Sequence, residues 1–171
     1  MNRSISPARK VAFLGLLFAL SVALAFLESL IPTAGLLPNG VKLGLSNIVT
    51  MYAVFFLGWK EAYGIAVLKS LFVLLTRGAL AAVLSLSGGL LSVTVMLLLL
   101  LLKSRLSYVV ISIFGSLTHN LAQITCVSFV LGASAFYYTP VLIISGVVMG
   151  VITGGILKAV LPALERLRGK A

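Results

Sequence analysis

Gly115-Ser116-Leu117-Thr118-His119-Asn120-Leu121-Ala122-Gln123 decides how this chain is read. The stretch lies midway along Ser107 to Leu131, a run otherwise apolar enough to cross a bilayer. It holds the only histidine of the chain. His119 and Gln123 are four apart and share a helix face, with Asn120 one step round at its border. Hydrocarbon offers no partner to three such side chains. They are expected to face a bundle interior or a water-filled cavity.

The surrounding sequence is built for lipid. Of 171 residues, 61% are hydrophobic and 9% charged, against roughly 25% charged in a soluble domain. Mean hydropathy is +1.22. A spanning helix needs roughly 20 apolar residues, and six fit with short loops. The composition predicts an all-α integral membrane protein, one membrane domain over residues 1–171. Its helices are placed at about 11–30, 44–57, 62–76, 79–102, 107–131 and 141–161. Arg3, Arg9 and Lys10 precede an apolar run reaching Ile31. That run is longer than the roughly 7–15 residues of a signal-peptide core, so the segment reads as an uncleaved helix.

The net charge of +10 would suggest nucleic acid in a soluble protein. Here it follows from topology. Six spans place Arg3, Arg9, Lys10, Lys60, Lys103, Arg105, Lys158, Arg166, Arg168 and Lys170 on one side. Lys42 and Arg77 fall on the other, and Lys69 lies within a span. This asymmetry predicts cytoplasmic termini, with the bilayer rather than nucleic acid as partner.

The same orientation sorts the polar residues. Glu28, Lys42, Asn47 and Arg77 fall toward the outer face, and Lys69, His119 and Gln123 near mid-depth. A charge at a helix centre costs roughly 2.5–3.5 kcal/mol on insertion scales. Several polar groups converging from four helices therefore point to a cavity open to the outside. Lys42, Asn47, Lys69, Arg77, His119, Asn120 and Gln123 are the candidate ligand-binding residues. The bases would meet anionic groups, and the amides would fix orientation. Two or three positive charges against Glu28 favour an anionic or polar ligand. The turn formers Pro32, Gly35, Pro38, Asn39 and Gly40 mark a loop that could close over the site. Each residue also has a plainer reading: an interfacial base, a bridge between helices, or, for Asn47, a helix cap.

Small residues form two helical stripes. Ala8, Ala12, Gly15, Ala19 and Ala23 share one face of the first helix, and Gly146, Gly150 and Gly154 one face of the last. Such faces permit close helix approach, within this bundle or to a partner protein. The single cysteine, Cys126, excludes an intramolecular disulfide and gives no metal pair.

Asn39-Gly40-Val41-Lys42-Leu43-Gly44-Leu45-Ser46-Asn47, Ser87-Gly88-Gly89-Leu90-Leu91-Ser92 and Thr118-His119-Asn120-Leu121-Ala122-Gln123 resemble, in order, the Gx transporter family. That family is also labelled heptaprenyl diphosphate synthase component I. It is similar to the S components of energy-coupling factor transporters. The resemblance implies a six-helix protein of the bacterial cytoplasmic (inner) membrane that binds a vitamin, quinone or isoprenoid-type precursor near its outer face. Its partners would be a transmembrane coupling subunit and ATPases, with Ala8, Ala12, Gly15, Ala19 and Ala23 as the docking face. The second label implies a non-catalytic membrane subunit assisting heptaprenyl diphosphate synthesis. A structural anchor for a larger complex is a further alternative. The only acidic residues, Glu28, Glu61 and Glu165, lie far apart and form no Mg²⁺–diphosphate site. With no nucleotide-binding loop either, neither an enzyme nor a cofactor or metal is expected.

Overall fold

The computed structural model describes residues 7–30, 45–102 and 106–169. Its elements are α1 (Pro7–Ser29), α2 (Asn47–Phe56), α3 (Trp59–Arg77), α4 (Ala79–Leu101), α5 (Tyr108–Leu131) and α6 (Thr139–Gly169). A 3₁₀ segment, Gly132–Tyr138, joins the last two. Among the described residues there is no strand.

The helix boundaries follow local chemistry. α1 begins at Pro7, a position where the missing N–H costs nothing. α3 begins at Trp59 rather than near Ala62, because Gly58 makes the turn alone at φ 123°. That left-handed region is open to glycine at little cost. α6 extends beyond the expected Leu161 and continues past Pro162. The proline removes one backbone hydrogen bond without ending the helix.

Among the described residues, four segments are long and apolar enough to cross a membrane: Lys10–Glu28, Ala79–Leu101, Tyr108–Val130 and Gly132–Ala159. α3 has matching length but carries Lys60, Glu61, Lys69 and Arg77. α2 has 10 residues, about 15 Å at 1.5 Å per residue, half of a hydrocarbon core. It compensates by sitting centrally, against α1, α3, α4 and α6. Val49, Met51, Ala53 and Val54 of α2 are buried with Leu17, Ile65, Met96 and Leu157. A helix apolar all round belongs inside a bundle.

The surface is apolar, while the interior mixes an apolar core with most of the polar side chains of the spans. Leu75 is 85% exposed, Phe129 84% and Leu101 75%, whereas Glu28, Asn47, Lys69, His119 and Gln123 are buried. In water this distribution would be strongly unfavourable. In lipid it satisfies both solvents, and the chain is a helical membrane protein.

Glycine sets the closest helix contacts. A Cβ on Gly154 would lie 2.6 Å from Val109 Cα, and one on Gly150 would also meet backbone, at Ile113. The stripe on α6 is thus consumed by packing against α5. α1 is held differently. Leu17, Ser21, Ala25 and Glu28 face the bundle, and Lys10 forms an ion pair with Glu61 at the start of α3. The Lys10 hydrogen bond holds the Glu61 carboxyl below its ordinary range.

Candidate functional site

Five elements contribute to one cavity. α3 supplies Lys69, Val73 and Arg77, spaced by four along one face. α5 adds His119 and Gln123, α4 adds Ala81 and Ser85, and α1 adds Ala25 and Glu28. Ser46, just before α2, completes the lining. The cavity measures about 30 Å³, room for about two waters.

Lys69 is the centre of its polar network. It is buried, with 4% of its surface exposed. Its Nζ donates to Asn47 Oδ1 at 2.9 Å and to Ser46 Oγ at 3.2 Å. A buried charge needs such partners to offset lost hydration. Ser46 precedes and Asn47 begins the short α2, so its position is what brings their oxygens to α3. The Leu45 N–H donates to Glu28 Oε2 at 3.2 Å, which fastens α1 to the entry of α2. Arg77 is exposed and stands at the cavity mouth.

His119 and Gln123 form the α5 wall. Gln123 Nε2 donates to His119 Nε2 at 3.2 Å, which leaves the proton of a neutral imidazole on Nδ1. The ring's other edge is pressed on α4: a Cβ at Gly88 would lie 2.7 Å from His119 Nδ1 and Cε1. Gly88 is therefore the space into which the ring fits. Among the described residues Gln123 Oε1 is buried without a hydrogen-bond partner.

The sequence-selected residues separate into groups. Lys69, Arg77, His119 and Gln123 come together. Asn47 joins them through Lys69 and also lines a second, smaller cavity with Ser92, Ser112, Ser116 and Thr153. Asn120 is turned away: its Nδ2 donates to Leu142 O at 2.8 Å and to Ser145 Oγ at 3.4 Å, bracing α5 against α6. One residue step rotates a side chain by about 100° on a helix, which accounts for its divergence from His119. Lys42 and the loop from Pro32 lie outside the described residues. Glu28, Ser46 and Ser85 enter the lining without having been selected. Glu28 was legible as the one acid placed toward the outer face, but two serines among many carry no distinguishing signal.

Ala8, Ala12, Gly15, Ala19 and Ala23 are all exposed. Among the described residues nothing lies within 4 Å of where a Gly15 Cβ would be. The described part of the bundle therefore does not use the α1 stripe in packing.

A family model described as heptaprenyl diphosphate synthase component I matches residues 17–160. The chain belongs to this family. No curated protein and no solved structure matches it. The family's span runs from Leu17 in α1 to Val160 in α6 and encloses the whole cavity lining, from Ala25 to Gln123. Of the exposed α1 stripe it includes Ala19 and Ala23.

Proposed function

We propose that this component I family member is an S-component-like binding protein of the bacterial cytoplasmic membrane. It captures a small anionic or polar precursor from the outer side and delivers it with a separate energising module. The observation that carries this reading is the cavity itself: Lys69, His119 and Gln123 buried together in a lipid-embedded bundle, with Arg77 at the mouth. Ionisable groups inside a membrane mark ligand or ion sites far more often than they serve packing. The uncovered stripe on α1 supports a helical partner, because small residues allow close backbone approach. Asn120 would keep α5 in place beside the ligand. Both termini face the cytoplasm in this arrangement.

Catalysis by this chain is disfavoured on geometry. Glu28 is eighteen residues along α1 from Lys10, the partner of Glu61. At 1.5 Å per residue the two carboxylates stand about 27 Å apart, too far to share a metal–diphosphate centre. The family's description favours a second reading, a non-catalytic subunit that assists a soluble prenyltransferase. That reading predicts a faster prenyltransferase when the purified membrane protein is added.

Mass spectrometry of small molecules co-purifying in nanodiscs tests the binding reading. The wild type should carry a compound that the Lys69→Ala/His119→Ala double variant loses. Equal retention by both samples would remove this cavity as the binding site.

A further inference from the structure

Gln123 is the feature of the cavity that its structural role does not exhaust. Its Nε2 is spent on His119. Its Oε1 is buried, unpartnered and part of a residue that lines the cavity. Leaving a buried acceptor unmade costs about 1–3 kcal/mol. Gly88 and the Gln123 bond flank the His119 ring on two sides. With Nε2 donating to His119, Oε1 is the amide atom left over. The pair thus holds one polar atom in readiness beside a cavity whose fixed bases are Lys69 and Arg77.

We infer that the cavity selects an anion bearing an adjacent N–H or O–H donor: its charged group meets Lys69 and Arg77, and its donor meets Gln123 Oε1, with His119 as the positioning residue. This rests on the binding reading above and adds a substrate class to it. A ligand entering must widen a space of about 30 Å³. Sites built to hydrogen-bond a ligand's OH or NH reject the analogue lacking it by large factors, because the site atom is then left unmade.

Probe pairs that differ in a single group isolate the donor, the first pair being nearly equal in shape. Pyrrole-2-carboxylate and furan-2-carboxylate differ in a ring N–H against a ring oxygen; lactate and propionate differ in one hydroxyl. Binding is read from melting-temperature titrations of the purified protein in nanodiscs, for wild type, Gln123→Leu and Gln123→Met. Wild type should bind the donor-bearing member of each pair at least tenfold more tightly. Both variants, compared at temperatures where each is folded, should bind the members of a pair within about twofold. His119→Asn should lower the preference without abolishing binding. Wild type binding both members equally would overturn the donor inference and leave the anion site standing. A preference that persists in both Gln123 variants would also overturn it. Wild type binding neither member of either pair would overturn the donor inference together with the anion reading.

Discussion

At the scale of residues, the cavity depends on what glycine leaves out. Gly88 lies on α4 where His119 needs room. Gly88→Ala has two opposed effects. Alanine favours a helix over glycine by about 1 kcal/mol, while a Cβ 2.7 Å from the ring forces His119 to move. The ring is tethered through Gln123, so the clash should win, with a net loss of about 1–2 kcal/mol, within the range seen for overpacking. Melting of the purified variant should show that loss together with weaker retention of the co-purifying compound. Gly64→Ala on α3 is the control, since nothing lies within 4 Å of its Cβ position. A stable Gly88→Ala variant with unaltered retention would mean that the ring's position is immaterial.

At the scale of elements, two stripes of identical appearance have different fates. Gly146, Gly150 and Gly154 are pressed against α5, whereas the α1 stripe faces outward. Gly150→Ala confronts the backbone of Ile113, which no rotamer change can relieve, so a destabilisation of about 3 kcal/mol is expected. Gly155→Ala, with open space around it, should leave melting nearly unchanged; equal effects at the two positions would contradict the α5–α6 contact. Gly15→Leu should separate folding from assembly. The isolated variant should melt like wild type, and co-purification with a transmembrane coupling subunit should fall at least tenfold. Undiminished co-purification would place the docking face elsewhere. Spacing alone makes the two stripes equivalent, because a small residue permits contact without naming the partner.

At the scale of the whole molecule, the distribution of basic residues predicts an orientation that can be read chemically. On a Cys126→Ser background, Ala8→Cys should react with a membrane-impermeant maleimide only after permeabilisation. Tyr137→Cys, at a residue 86% exposed beside the start of α6, should react in intact cells; the reverse pattern would invert the proposed topology. The sequence by itself determined the all-helical membrane class, the six helices in order and the buried polar face of His119 and Gln123. These follow from hydropathy and a 3.6-residue period, which are local and one-dimensional. It did not determine which polar residues meet. Asn120 differs from His119 by one position yet braces α6, and the short α2 carries Ser46 and Asn47 to Lys69 across more than twenty residues of chain. Nor did it show that Gly88 makes space for the imidazole, or that one small-residue stripe is buried while the other is open. Those outcomes depend on which helix faces are turned toward each other. That is settled by the simultaneous packing of all six helices, and no single segment contains it.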